Sequence, residues 1–232
     1  MKTPILLFSG GIDSYVAWHY LHKPQTLYFD LGTPYSAKER KFVEQLIPGT
    51  IIDESLRIGD RQIGDNAYIP FRNLMLSCLA YKYGNPIIIA GVKDDVVSDK
   101  NAVAFDAFSR LLSMLEGQTI RVVSPFWEMT KTQVVKWYLQ QGLSKEDLLK
   151  TISCYSPIDT NYCGMCPSCF RKWCALRANG INIAFYNDQL MDDYVERARA
   201  GVYDTERNEN ILAQVEYYKK ELETAIENSG RH

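Results

Sequence analysis

Four cysteine residues lie within sixteen residues of one another in the second half of the chain. They are Cys154, Cys163, Cys166 and Cys169, in the pattern Cys-x8-Cys-x2-Cys-x2-Cys. Cys-x2-Cys spacing lets two thiolates reach one ion from a tight turn, here with Gly164 in the turn and Pro167 preventing premature continuation of a helix. Four soft ligands favour structural zinc. An iron–sulfur cluster is the main alternative, and unrelated buried thiols are the remaining one.

A second chemical segment, SGGIDS at residues 9–14, follows a short apolar run. A strand, a glycine turn and a helix in this order form an anion cradle, because backbone N–H groups and the helix N-terminus face the ligand. There is no Gly-Lys-Ser/Thr, so the segment is not an ordinary P-loop. It resembles the pyrophosphate loop of ATP pyrophosphatases, and a serine-capped turn is the simpler alternative. The resemblance implies that ATP contacts Phe8, Ser9, Gly10, Gly11, Ile12, Asp13 and Ser14.

Length and charge limit the class of protein. The 232 residues suit one α/β domain with an appendage, and the formal charge of −2 provides no global field for nucleic acid or anionic lipid. We find no signal-peptide pattern and no apolar run of the roughly 18 residues that a membrane span needs. We therefore expect a cytoplasmic protein with no stable nucleic-acid partner and no membrane contact.

Apolar, β-rich stretches alternate with helical patterns. The predicted strands are Pro4–Phe8, Thr26–Phe29, Thr50–Ile52, Pro86–Ala90 and Ile120–Val123. The predicted helices between them are Asp13–Leu21, Ala37–Leu46, Asn73–Tyr83 and Phe105–Glu116. This alternation predicts an α/β fold, a Rossmann-like parallel sheet with helices on both faces. Ligands bind such sheets at the carboxyl ends of the strands.

The composition changes from Thr130 onward. Thr130 is expected to cap a helix to Gln141, with Gly142 as its stop, and Asn210–Ile226 has helical periodicity. The apolar stripe from Ile211 to Leu222 either packs on the body or forms a homodimer contact. We predict an α/β domain at 1–145, a zinc-binding segment at 146–181 and a helical tail at 182–232.

Several short segments, taken together and in order, resemble the 7-cyano-7-deazaguanine synthase (QueC) family over residues 1–181. Besides SGGIDS, they are FDLG at 29–32, YIPFRNLML at 68–76, GVKDD at 91–95, the segment from Ser124 to Lys131, and SCYSPIDTNYCGMCPSC at 153–169. The resemblance implies ATP-dependent conversion of 7-carboxy-7-deazaguanine and ammonia to the nitrile, through an adenylated carboxylate and an amide. It also implies Mg²⁺ beside the pyrophosphate, with Asp13 as the expected contact in this loop.

The same resemblance assigns residues around the acceptor, each with a simpler alternative. Arg72 presents a fork for phosphate or carboxylate, and Asn73 either joins it or caps a helix. Lys131 either neutralises phosphate charge or is a solvated first-turn lysine. Phe29, Asp30 and Gly91 are expected near the nucleotide. Guanine recognition is expected in a charged loop that is otherwise a solvated surface, at Asp94, Asp95, Asp99 and Lys100.

The chain departs from the family pattern mainly around the acceptor. FDLGTPY replaces FDYGQRH, and Phe71 stands where the family's PGRN segment has glycine. ATP chemistry is therefore better supported than acceptor identity. The alternatives are a paralogue acting on another 7-deazaguanine or stopping at the amide, another adenylating ligase or thiolase, and a non-catalytic nucleotide-binding protein. Thiolation needs a reactive cysteine pair, for which Cys78 and Cys174 look poorly placed.

Overall fold

The computed structural model describes residues 2–64, 68–156 and 159–229. Residue 1, where the first predicted domain begins, and residue 232, where the last one ends, lie outside the described residues. The chain forms two compact units, Met1–Cys163 and Gly164–His232. The predicted boundaries at residues 145 and 181 stay predictions. No helix in the described ranges is long and apolar enough to cross a bilayer.

The first unit contains the predicted five-stranded parallel sheet, and all five strands are confirmed. The strands are β1 (Ile5–Leu7), β2 (Gln25–Phe29), β3 (Ile51–Asp53), β4 (Ile87–Ile89) and β5 (Val122–Val123), in the order β3-β2-β1-β4-β5. Runs such as Ile87–Ile89 are buried throughout, as expected for strands covered on both faces. This order places the carboxyl end of β1 between those of β2 and β4.

Helices connect and cover these strands. In the first unit they are α1 (Ile12–Tyr20), α2 (Ser36–Leu46), α3 (Arg72–Ala80), α4 (Ala102–Glu116), α5 (Lys131–Gln140) and α6 (Lys145–Lys150). Thr130 caps α5 through a full capping box with Gln133, and Gly142 follows in the left-handed region, as predicted. The short helix α6 has no counterpart in the sequence prediction.

The outer edge of the sheet is closed by two serines of α4. The Ser109 hydroxyl accepts from the Val122 N–H at 2.8 Å and donates to the Phe105 carbonyl at 2.7 Å. The Ser113 hydroxyl, one turn later, accepts from the Ile120 N–H at 2.8 Å and donates to the Ile120 carbonyl at 3.1 Å. Because these hydroxyls satisfy backbone groups of the edge strand, the edge is blocked against pairing with another chain.

The second unit is helical, with α7 (Pro167–Arg177), α8 (Asp188–Arg199) and α9 (Thr205–Ser229). Pro167 is the first residue of α7, so no helix runs through it from the turn at Gly164, as expected, and its fixed φ is compatible with a first helical turn. Ile211 and Val215 of the predicted stripe are buried within this unit, whereas Leu222 is 43% exposed. The homodimer stays a prediction.

Candidate functional site

The segment between β1 and α1 forms a tight backbone loop. Gly10 has φ +71°, and a β-carbon there would lie 2.8 Å from Ile152 Cγ2. The Ile152 N–H also donates to the Gly10 carbonyl at 2.8 Å, which holds the loop from outside. Gly11 is the N-cap of α1 and provides no capping side chain, so the first N–H groups of this helix have no side-chain cap at that position.

Asp13 and Lys131, 118 residues apart, meet beside this loop. The Lys131 ammonium donates to Asp13 Oδ2, and both side chains are largely buried, at 11% and 15% exposed. Asp13 Oδ1 is buried and has no hydrogen-bond partner within the described residues. Lys131 is fixed through its backbone as well, because its N–H donates to Asp94 Oδ1 at 3.0 Å. The structure thus brings together the two residues that sequence motifs had identified separately.

The hydrophobic residues among those assigned to the nucleotide have buried side chains. Phe8, Ile12 and Phe29 are at most 6% exposed, and their side chains are buried beneath the loops. The FDLG turn is organised by Asp30, whose Oδ1 accepts from the Gly32 N–H at 3.0 Å and from Arg57 Nη1 at 3.1 Å. Arg57 belongs to no motif, so the sequence analysis missed it.

The start of α3 is fixed by a distant carboxylate. Asp99 accepts from the Asn73 backbone N–H at 2.9 Å and from its side-chain amide at 2.8 Å. Asn73 is therefore not the cap of this helix. The N-cap is Phe71, in the left-handed region at φ +58°, and Arg72 is the first helical residue.

The charged loop after β4 is tied to the protein at several points. Asp95 accepts from the Val92 N–H at 3.2 Å and pairs with Lys100 at 2.9 Å. The Gly91 N–H donates to the Ser124 hydroxyl at 3.0 Å, and the Trp127 ring lies where a Gly91 β-carbon would be. These bonds make the loop a structured part of the sheet's carboxyl edge, and the assigned roles of its residues in binding stay predictions.

A partly buried carboxyl group that belongs to no motif lies near Arg72. Glu39 of α2 accepts from the Tyr28 hydroxyl at 3.1 Å. Burial raises the pKa of Glu39 to about 7 and the negative charge of Asp30 adds to the rise, while the Tyr28 hydrogen bond and the positive charges of Arg72 and Lys38 oppose it. Its raised pKa depends on neighbours from several elements, so no local sequence signal could have revealed it.

This raised pKa predicts a pH-dependent contribution to stability. The folded protein keeps the Glu39 proton up to about pH 7, whereas an unfolded chain loses it near its ordinary pKa of 4.5. The stability contributed by this group therefore falls as pH rises between these values. Glu39→Gln stays neutral and keeps an acceptor for Tyr28. We expect it to be more stable than the wild type by ~2 kcal/mol at about pH 8 and nearly equal at about pH 4.5.

Urea unfolding of both proteins across this pH range measures the difference. Glu44→Gln is the matched control, because Glu44 lies on the same helix in an exposed ion pair with Arg40. Its effect should not grow with pH in this way. A constant difference between Glu39→Gln and the wild type would contradict the assignment.

The four cysteines predicted to bind a metal converge. Their sulfur atoms all lie within 4.8 Å of one another. Cys154 Sγ accepts from the Ser156 N–H at 3.4 Å, and Cys166 Sγ accepts from the Cys169 N–H at 3.5 Å. Zinc–sulfur bonds of about 2.3 Å in a tetrahedron place sulfurs about 3.8 Å apart, so the set is compatible with one zinc ion. Gly164 has φ +69°, which explains glycine in the turn.

A comparison with protein-family models identifies a family for this chain. The model described as "Queuosine biosynthesis protein QueC" matches residues 30–180, which is 151 of the chain's 232 residues. The matched range begins at the FDLG turn and includes the start of α3, the loop after β4 and all four metal-candidate cysteines. The Ser9–Ser14 loop lies before it, so the structural evidence on that loop is independent of the match.

Proposed function

Because this chain belongs to the QueC family of queuosine biosynthesis proteins, we propose that it uses ATP to convert 7-carboxy-7-deazaguanine and ammonia to the 7-cyano product. The observation that carries the proposal is the Asp13–Lys131 pair beside the glycine loop, with one carboxylate oxygen buried and without a partner among the described residues. A nucleoside triphosphate with its metal ion would supply the partner that this carboxylate oxygen lacks.

The proposed reaction begins with activation of a poor electrophile. A carboxylate oxygen of the acceptor attacks the α-phosphorus of ATP, pyrophosphate leaves, and the carboxyl carbon gains AMP as a leaving group. The loop N–H groups and the Lys131 ammonium stabilise the charge on the departing pyrophosphate. Mg²⁺, when bound, would neutralise phosphate charge, and Asp13 is the carboxylate placed to hold it.

A substitution and then an elimination at the acceptor carbon complete the reaction. Ammonia attacks the adenylate carbonyl, AMP leaves with the carboxylate oxygen, and the amide forms after loss of a proton. The amide oxygen then attacks the α-phosphorus of a second ATP and pyrophosphate leaves. Loss of the two protons on nitrogen, with departure of that oxygen in AMP, gives the nitrile. Arg72 would orient the acceptor carboxylate, and Asp30 with Arg57 would face the nucleotide at the neighbouring strand end.

The cysteine cluster has a structural role in this proposal. We propose that Cys154, Cys163, Cys166 and Cys169 hold one zinc ion as a closed four-thiolate site. The two remaining cysteines argue against thiolation, because burial raises the pKa of the Cys174 thiol and partial desolvation raises the pKa of the Cys78 thiol, although that residue is exposed. A thiol that stays protonated at neutral pH is a poor nucleophile.

Release of pyrophosphate tests the proposal against its alternatives. With ATP, Mg²⁺ and ammonium present, we expect no release without an acceptor and sustained release when 7-carboxy-7-deazaguanine is added. Addition of 7-amido-7-deazaguanine should also support release, because the amide is the proposed second substrate. Release with the carboxylate alone would indicate a ligase that stops at the amide. Tight ATP binding with no release for either acceptor would favour a non-catalytic nucleotide-binding protein.

A further inference from the structure

Phe71 combines two unfavourable features at the start of α3. Its backbone has φ +58° and ψ +18°, the left-handed region that a bulky side chain rarely adopts. Its side chain is also 68% exposed, so the residue gains little from burial. A glycine would have neither disadvantage, because it adopts this conformation freely and exposes no apolar surface. Phenylalanine at this position therefore lowers the stability of the folded protein, and the packing of the fold does not explain why it is there.

The surroundings hold this residue at the carboxyl edge of the sheet. The Phe71 carbonyl accepts from the Met75 N–H at 3.1 Å, which begins α3, and Asp99 clamps Asn73 two residues later. The next residue is Arg72, which lies close enough to Glu39 and Tyr35 to influence the pKa of both. The ring is thus attached to the start of α3, on the residue that precedes the arginine proposed to bind the acceptor carboxylate.

We infer that the Phe71 ring is the stacking surface for the planar base of the acceptor. The inference rests on the proposed function, which supplies a flat heteroaromatic acid as the ligand. An aromatic residue and an arginine in succession at the start of α3 suit such a ligand: the ring covers the base while Arg72 binds the carboxylate. A stacked base recovers the apolar surface that the free protein exposes, and aromatic stacking is not selective for one base.

Calorimetric titration with 7-carboxy-7-deazaguanine compares three substitutions with the wild type. Phe71→Gly and Phe71→Leu should bind the base about ten- to a hundredfold more weakly, because neither provides a ring. Phe71→Tyr should bind within about threefold of the wild type, since it keeps the ring. ATP affinity, titrated separately, should be unchanged in all three, which excludes general damage to the site.

A thermal melt separates strain from binding. Phe71→Gly should melt at an unchanged temperature or up to about 3 °C higher, because glycine relieves the backbone. His22→Gly is the matched control: His22 also has φ +58° but lies after α1, at the opposite edge of the sheet. It should behave like Phe71→Gly in the melt and like the wild type in the titration.

Three results would overturn the inference. Equal binding of the base by wild type, Phe71→Gly and Phe71→Leu would show that the ring does not contact it, while leaving the proposed function intact. A change of oligomeric state in Phe71→Gly, with base binding unaffected, would assign the ring to a contact between copies of the chain. No binding of the base to the wild type, with ATP present or absent, would overturn the proposed function and the inference together.

Discussion

Asparagine in place of Asp13 is expected to lower the rate of pyrophosphate release by about a thousandfold. The substitution keeps the size of the side chain but removes the negative charge that faces Lys131 and leaves no carboxylate for a metal ion. Both effects act on charge that develops as pyrophosphate departs, so the turnover rate should fall far more than the affinity for the acceptor. Steady-state assays with saturating 7-carboxy-7-deazaguanine measure this fall.

Asp106→Asn is the control for this substitution. Asp106 lies on α4 in an exposed ion pair with Arg110, and its loss should leave turnover within about twofold of the wild type. Asp13→Asn weakens a largely buried charged hydrogen bond, so a stability loss of about 1–3 kcal/mol is also expected. Turnover is therefore compared at a temperature where both variants are folded. Wild-type turnover in folded Asp13→Asn would remove Asp13 from the mechanism.

Loss of one cysteine from the cluster is expected to have the largest effect on the folded state. The purified protein should contain about one zinc per chain, and Cys169→Ser should contain almost none. Cys169 is fully buried, and a three-thiolate remnant binds zinc much more weakly than a complete tetrahedral set. Because metal binding contributes to folding, the melting temperature of Cys169→Ser should fall by on the order of 10 °C.

Cys78→Ser is the matched control, since Cys78 lies outside the cluster and is exposed. It should keep full zinc content and melt close to the wild type. Elemental analysis of the wild type is the decisive part of this experiment. Iron accompanied by a visible charge-transfer band would indicate an iron–sulfur cluster, and absence of any metal would contradict a metal site altogether.

The strands were predictable because their apolar runs are short, continuous and separated by helical patterns. The cysteine set was predictable because ligand spacing is local. The hydrogen bonds that hold the start of α3 were not, because their carboxylate partner Asp99 lies 26 residues beyond Asn73. The first residue of α7 was not predicted either: Pro167 was interpreted only as a stop to a helix, although proline also favours a first helical position.

Two residues near the candidate site, Arg57 and Glu39, lie outside any motif and were not predicted for a related reason. Arg57 donates a hydrogen bond to Asp30, which lies 27 residues earlier in the chain. The pKa of Glu39 is altered by burial and by several charged neighbours. Neither residue has a pattern in its own neighbourhood along the chain. In contrast, Asp13 and Lys131 were each identified from a local segment, and the fold added only that they are paired.

The mass of the product shows whether the chain carries out the proposed conversion of a carboxylate into a nitrile at the expense of ATP. The purified, zinc-containing protein is incubated with ATP, Mg²⁺, ¹⁵N-labelled ammonium and 7-carboxy-7-deazaguanine. The products are then separated, and their masses are measured by mass spectrometry. We expect 7-cyano-7-deazaguanine with one ¹⁵N atom, the labelled amide as a transient species, and AMP rather than ADP. Recovery of the unchanged acid, with no labelled amide or nitrile and no AMP, would contradict the account.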